Sequence, residues 1–142
     1  MPTTIYFSGS ISGGRGDVGL YRRMVEALEK DGHRVLAGSV AAEHIGDGGD
    51  PMTARDIFDR DLRWIEQSDV LVAEVSTPST GVGYEIAAAR YRFGIPVIAL
   101  WRPGRTSRCS AMVAGDDGVR LLEYTDDSID DLLARLSRAL RE

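Results

Sequence analysis

The sequence predicts an α/β protein with a three-layer, doubly wound fold (Rossmann-like or flavodoxin-like) around a parallel sheet of about five strands. Strand-like apolar runs alternate with amphipathic helix patterns along the chain. The run 70–75, Val-Leu-Val-Ala-Glu-Val, is typical of a strand buried on both faces. A glycine-rich loop, residues 9–14, closes the first strand. Strands separated by helices pair in parallel through right-handed crossovers.

The first half of the chain contains two predicted strands and two predicted helices. Residues 4–7 form the first strand, and a helix runs from about Asp17 to its stop at Gly32. Residues 34–37 form a short second strand, and the Gly- and Asp-rich stretch 38–52 is a predicted lid loop. A helix starts at Thr53, where Asp56 provides a variant of the capping box. Its apolar stripe is predicted to consist of Ile57, Phe58, Leu62 and Ile65.

The second half continues the alternation. The third strand, 70–75, leads to a helix in which Glu85 is predicted to occupy the first turn, and the fourth strand covers 97–100. A loop at 102–109, a weaker strand-like segment at 121–124 and a closing helix complete the pattern. Because no linker, repeat or low-complexity segment interrupts it, residues 1–142 are predicted to form one domain.

Composition excludes several classes of function. The net charge of −5 among 142 residues disfavours a general nucleic-acid surface, so no nucleic-acid polymer is expected as a partner. No apolar run reaches about 18 residues, so neither a membrane span nor a signal peptide is expected, and a cytoplasmic location is the default. Cys109 is the only cysteine, and His33 and His44 are isolated, so no metal site is expected.

Two carboxylates are candidates for catalysis. Glu85 follows a buried strand, above the carboxyl end of a parallel sheet, where ligands bind in open α/β folds. A helix N-terminus would keep it ionised, and complementing the helix dipole is the alternative reason for its presence. Asp61 falls on the apolar stripe of its helix, where a carboxylate must be paired or protonated. Two carboxyl groups in different environments suit a nucleophile and an acid in glycosidic cleavage, whereas pairing with a neighbouring arginine is the structural alternative for Asp61.

Two clusters of small polar residues are candidates for binding phosphate. The loop at 9–16 offers backbone amides and the hydroxyls of Ser10 and Ser12, and the segment 79–81 offers Ser-Thr-Gly. Neither cluster matches a Walker loop or the dinucleotide fingerprint. The alternative interpretation of the loop at 9–16 is a flexible turn of glycines that binds no phosphate. Tyr6 lies near the end of the first strand, where its hydroxyl could bind a carboxylate or its ring could fill the core.

These residues occur in an order that resembles a known family. The segments 6–11, 13–15, 61–64, 73–85, 102–103 and 110–112 together are similar to the 2′-deoxynucleoside 5′-monophosphate N-glycosidases, often called Rcl proteins. That family lies within the nucleoside 2-deoxyribosyltransferase superfamily. The similarity covers nearly the whole chain, and its specificity comes from the ordered set rather than from any single motif.

The resemblance implies a role for each matching residue. Glu85 would be the nucleophile that forms a glycosyl-enzyme ester, Asp61 the proton donor to the departing base, and Tyr6 the residue that orients Glu85. The 5′-phosphate would be bound by Ser10, Gly13, Ser79 and Gly81, and Ile11 would lie against the base. Ser110 matches a serine that a neighbouring subunit contributes, which implies a homodimer. The family requires neither a metal nor an organic cofactor.

Two differences from the family leave the substrate open. Ser12 and Ser39 replace an arginine and a histidine of the animal enzymes, both near the substrate. The expected reaction is hydrolysis of a (deoxy)nucleoside 5′-monophosphate to free base and (deoxy)ribose 5-phosphate. The alternatives are a ribonucleotide hydrolase acting on substrates such as cytidine monophosphate, a transferase that exchanges bases, and a nucleotide-binding module without catalysis.

Overall fold

The computed structural model describes residues 3–10, 17–37, 52–104 and 108–142. They form a five-stranded, entirely parallel sheet with the order β2-β1-β3-β4-β5. The strands are β1 (Thr4–Gly9), β2 (Arg34–Leu36), β3 (Val70–Glu74), β4 (Val97–Trp101) and β5 (Val119–Glu123). This order is that of the flavodoxin-like sheet and confirms the predicted fold class.

Helices cover both faces of the sheet. They are α1 (Val18–Lys30), α2 (Ala54–Glu66), α3 (Thr80–Ala87), α4 (Ala111–Ala114) and α5 (Ile129–Leu140). A π-helical turn, Ala88–Arg92, extends α3, and a short 3₁₀ turn precedes α5. Side chains of β1 alternate between two hydrophobic clusters, with Ile5 and Phe7 facing α1 and α5, and Tyr6 facing α2 and α3. The result is three layers with a core on each side of the sheet.

Local sequence signals explain where the helices begin and end. Gly32 follows α1 with a φ of +95°, a conformation that favours glycine, and so marks the predicted stop. The side chain of Thr53 accepts a hydrogen bond from the Asp56 N–H at 3.0 Å, and the Asp56 carboxylate accepts one from the Thr53 N–H. This reciprocal capping box confirms the predicted start of α2.

Two sequence predictions about the helices were wrong. Ile57 and Phe58 are 38% and 39% exposed, and the buried side of α2 consists of Asp61, Leu62 and Ile65. The buried face of α2 is thus narrower than the predicted stripe and has a carboxylate in it. Glu85 is the sixth residue of α3 and lies in its second turn, because the helix begins at Thr80.

Several predicted segments differ in extent or cannot be compared. The segment around residues 121–124 is a full strand, β5, which pairs in parallel with β4. Most of the predicted lid, and part of the loop at 102–109, lie outside the described residues. Among the residues that the structure describes, no helix is both long and apolar enough to cross a membrane.

Candidate active site

The catalytic candidates converge where the sheet changes its winding direction, between β1 and β3. The carboxyl ends of these neighbouring strands are in register, with Gly9 paired to Glu74. Alternation along β1 directs Tyr6 and Ser8 to the face that α2 and α3 cover. Ligands of open α/β sheets bind at such switch points, beyond the carboxyl ends of the strands.

The carboxylate of Glu85 is held by two hydroxyl groups from β1. The Tyr6 hydroxyl donates a hydrogen bond to Oε2 at 2.6 Å, and the Ser8 hydroxyl donates one to Oε1 at 2.7 Å. Both donors are almost completely buried, at 2% and 1% exposure. Because each carboxylate oxygen has its own donor on a central strand, the carboxylate has a fixed orientation toward the sheet edge.

The proton affinity of Glu85 reflects opposing influences. Burial raises the pKa of Glu85, the hydrogen bonds from Tyr6 and Ser8 lower it, and the nearby Asp61 carboxyl raises it again. The net pKa of Glu85 lies above its ordinary value. Glu85 lies in the second turn of α3 and not at its N-terminus, and the groups that favour its ionised form are the Tyr6 and Ser8 hydroxyls. Burial and the Glu85 carboxylate raise the pKa of the Tyr6 phenol, so Tyr6 acts as a neutral donor.

Asp61 reaches the same site from α2. It is 7% exposed, and its carboxyl interacts with both Glu85 and Tyr6. Its Oδ1 also accepts a hydrogen bond from Arg60 Nε at 3.0 Å, and the Arg60 guanidinium lies 4.8 Å from the centre of the Trp64 ring. Asp61 therefore pairs with Arg60 and also lies near enough to Glu85 to raise the pKa of Glu85.

Polar residues proposed to bind phosphate occupy the ends of neighbouring elements. Ser79 caps α3, where its hydroxyl accepts a hydrogen bond from the Val82 N–H at 3.3 Å. Ser79, Thr80 and Ser110 line one cleft of about 360 Å³ with apolar walls that include Val82 and Ile86. Gly81 is exposed in the first turn of α3.

Ser10 differs from the other candidates because it is buried. It is 5% exposed, and within the described part of the chain its hydroxyl has no hydrogen-bond partner. A buried hydroxyl without a partner is costly, so this position suits a polar ligand. Ile11 and Gly13, like Ser12 and Ser39, lie outside the described residues.

Sequence reasoning missed Ser8. It lies two residues after Tyr6 on a strand and therefore faces the same side of the sheet, which was the available signal. Within the described ranges, no group of three or more His, Cys, Asp or Glu side chains is arranged to hold a metal ion.

The sheet and the oriented carboxylate define an α/β protein with a candidate active site that consists of one carboxylate, its two hydroxyl donors and a second carboxyl group. Residues 5–120 match the nucleoside 2-deoxyribosyltransferase family, and the chain belongs to that family. The match runs from the second residue of β1 to the second residue of β5 and includes Tyr6, Asp61 and Glu85.

The chain is similar to curated enzymes over nearly its whole length. A mouse (Mus musculus) protein named 5-hydroxymethyl-dUMP N-hydrolase is 40% identical over 144 residues, covering 98% of this chain and 82% of the relative. A protein of the same name from Tetraodon nigroviridis is 43% identical over 134 residues, covering 91% and 93%. The CMP N-glycosidase of Clostridium botulinum shares the fold, with a TM-score of 0.69 at 16% identity over 96% of this chain and 98% of that one.

Proposed function

We propose that this protein hydrolyses the N-glycosidic bond of (deoxy)nucleoside 5′-monophosphates, releasing a free base and (deoxy)ribose 5-phosphate. The observation that carries the proposal is the Glu85 carboxylate, held by the Tyr6 and Ser8 hydroxyls and adjacent to Asp61. The family membership and the relatives named as nucleotide N-hydrolases support the same reaction.

In the first step, the Glu85 carboxylate attacks C1′ of the sugar. A C1′–O ester bond forms, the C1′–N bond breaks, and its electron pair leaves with the base. Asp61 delivers a proton to that base. Two carboxyl groups at one site suit this division into a nucleophile and an acid.

In the second step, water attacks C1′ and displaces Glu85. Asp61, now ionised, takes a proton from the water, so both carboxyl groups return to their starting states. Covalent catalysis divides one slow cleavage into two easier steps. Throughout, Tyr6 and Ser8 hold the Glu85 oxygens at a fixed position.

The phosphate is proposed to bind at the N-terminal end of α3 and the end of β1. Ser79 and Gly81 present a hydroxyl and a backbone amide there, and the unpartnered Ser10 hydroxyl lies at the end of the neighbouring strand. Ser79 precedes Glu85 by six positions, which corresponds to ~9 Å along a helix axis. That spacing is of the order of a sugar phosphate, so a bound phosphate would place C1′ near the carboxylate. By resemblance to the family, we also propose that Gly13 binds the 5′-phosphate and that Ile11 lies against the base.

A homodimer is part of the proposal, with Ser110 completing the phosphate site of the partner. Ser110 is exposed and also lines a cleft with Ser79 of its own chain, so the same residue could act within one chain. Mixing variants separates the two arrangements. If Ser110 acts across subunits, combining Ser110→Ala with Glu85→Ala restores sites that contain both residues, and activity rises above that of either variant. If it acts within one chain, mixing restores nothing.

A panel of nucleoside 5′-monophosphates tests the activity. It includes 5-hydroxymethyl-dUMP, the substrate in the relatives' names, and cytidine monophosphate, with free base measured by chromatography. We expect turnover of at least one, abolished in Glu85→Ala and retained in Glu66→Ala, an exposed glutamate of α2 that serves as the control. A Glu85→Ala protein with near-native turnover would refute the proposal.

The same panel separates the alternatives. Turnover of ribonucleotides but not deoxyribonucleotides identifies a ribonucleotide hydrolase. A new nucleoside formed in the presence of a second base identifies a transferase, which the proposed phosphate-binding serines disfavour. Binding without release of base identifies a non-catalytic module.

The remaining parts of the proposal concern the protein as a whole. We propose that residues 1–142 act as one domain, without a metal or organic cofactor, in the cytoplasm. Retained turnover after treatment with a chelator and dialysis would support the second point, and cell fractionation tests the third.

A further inference from the structure

An exposed pair of aromatic rings joins α2 to α3 beside the candidate active site. Phe58 follows the apolar pattern of α2 but is 39% exposed, and Tyr84, in α3, is 58% exposed. The two ring centres are 6.0 Å apart, and the ring planes meet at 73°. Neither ring belongs to the buried core. Large apolar side chains that stay exposed next to a candidate site mark a surface that is available to a ligand.

Both rings adjoin the two carboxyl groups of the site. Phe58 precedes Asp61 by three positions, so the two residues lie on the same side of α2, about 4.5 Å apart along the helix axis. Tyr84 immediately precedes Glu85 in α3. The Asp61 carboxyl interacts with Glu85, and one helical turn away the Phe58 ring contacts the ring from α3. The aromatic pair therefore lies within about one helical turn of the proposed acid and nucleophile.

The direction of α2 places Phe58 on the ligand side of Asp61. The C-terminal end of α2 leads to the amino end of the sheet, where the Asp69 N–H donates a hydrogen bond to the carbonyl of Thr4, the first residue of β1, at 2.7 Å. Positions nearer the start of α2 therefore lie nearer the carboxyl ends of the strands, where open α/β sheets bind ligands. Helical side chains also lean toward the N-terminus of their helix. Phe58 thus lies on the side of Asp61 toward which a bound nucleotide would extend.

A phenyl ring at this position suits the base of a nucleotide. The base is bonded to C1′, the atom that Glu85 is proposed to attack, so it must lie beside the two carboxyl groups. Bases are flat, and aromatic side chains bind them by stacking. Two rings in a T-shaped contact cover at most one ring face between them, so the contact between Phe58 and Tyr84 leaves ring faces open to a third ring.

We propose that Phe58 binds the nucleobase of the substrate by stacking, and that Tyr84 holds the Phe58 ring in place. This inference rests on the proposed function. It assigns binding of the base to α2 and binding of the phosphate to the start of α3, so different residues recognise the two ends of the substrate. Because Phe58 touches only the base, a sugar phosphate without a base should bind independently of it.

Binding of a nucleotide and of ribose 5-phosphate, which has no base, tests the inference. Kd for the tightest-binding nucleotide of the panel and for ribose 5-phosphate is measured by calorimetry in Glu85→Ala, which prevents turnover, with and without Phe58→Ala. We expect Phe58→Ala to raise Kd for the nucleotide about tenfold and to leave Kd for ribose 5-phosphate within about twofold. Tyr91→Ala is the matched control, because it removes a ring that is 76% exposed on the π-helical turn, and it should change neither constant.

A second pair of variants, in the otherwise unchanged protein, separates the ring from the apolar bulk of the side chain. Phe58→Leu keeps an apolar side chain but removes the ring, and Phe58→Tyr keeps the ring. Both should fold, because the position is exposed. We expect Phe58→Leu to raise KM for the nucleotide about tenfold with kcat changed less than about twofold, and Phe58→Tyr to keep both within about twofold of the wild type.

The outcomes distinguish this inference from the proposed function. Equal losses of affinity for the nucleotide and for ribose 5-phosphate, or no loss for either, would overturn the base-binding role while the hydrolase activity stood. An unchanged Kd for the nucleotide together with conversion of a dimer to monomers, seen by analytical ultracentrifugation, would assign Phe58 to an interface between copies and would overturn the role as well. A wild-type protein that neither bound a nucleotide nor released base would overturn the proposed function and the inference with it.

Discussion

Replacing Ser8 with alanine is expected to move the acid limb of the pH–rate profile to higher pH. The Ser8 hydroxyl donates a 2.7 Å hydrogen bond to a carboxylate whose pKa burial already raises. A hydrogen bond to a charged group contributes about 1.5–3 kcal/mol. Since about 1.4 kcal/mol corresponds to a tenfold change in an equilibrium constant, losing it should raise the pKa of Glu85 further and lower the ionised fraction of Glu85, at a pH below that pKa, roughly 10- to 100-fold. The proposed nucleophile is the ionised form, so activity should be lost at correspondingly higher pH.

The measurement is kcat/KM against pH for the wild type and Ser8→Ala, with the best substrate of the nucleotide panel. Ser68→Ala is the matched control, because Ser68 is also buried and donates a 2.7 Å hydrogen bond, but to the Trp64 carbonyl. We expect the control to keep the wild-type limb. A uniform fall in rate at every pH in Ser8→Ala, with the limb unmoved, would show that the hydroxyl only fills space.

Three further predictions concern other residues. The pKa of Glu85 is higher in the folded protein than in the unfolded chain, so the folded protein binds this proton more tightly. Stability should therefore fall as the pH rises from the ordinary pKa of a glutamate to the raised pKa of Glu85, because Glu85 ionises over that interval. At pH values above that interval, Glu85→Gln should therefore raise Tm by a few degrees, which corresponds to roughly 1 kcal/mol in the free energy of unfolding. At pH values below it, the variant should have no such advantage. An equal gain in Tm at all pH values would contradict this prediction. Asp61→Asn should slow release of poor leaving bases more than good ones, and equal slowing would exclude the proton-donor role. Gly9→Ala should cost about 1–3 kcal/mol in urea unfolding, because a Cβ there would meet the Tyr21 ring at 2.9 Å, whereas Gly19→Ala, with nothing within 4 Å, should be neutral or stabilising.

The sequence was sufficient to predict the fold because its signals were local and agreed with one another. The apolar run of β3, the capping box of α2 and the glycine after α1 each predicted an element that the structure contains. The buried face of α2 was predicted less well. Periodicity alone places Ile57 and Phe58 on the core side, but residues 54–59 at the start of α2 are all exposed and burial begins only at Asp61.

The candidate site could be predicted only in part. Tyr6, Asp61 and Glu85 were found because each was unusual for its local pattern or matched the family. Ser8 was missed because a serine inside a strand is not unusual, and its partner lies 77 positions away in the chain. The contact between the Phe58 and Tyr84 rings was not predicted either, since it joins two helices that are distant in sequence.

The two hydroxyls that hold Glu85 belong to β1, a strand paired on both sides, whereas the proposed phosphate and base contacts come from residues outside the sheet. Substitutions in the loops could therefore change which nucleobase is removed, while the β1 hydroxyls that orient Glu85 stay in place. Such a division would allow related proteins to differ in substrate specificity while they keep the same reaction.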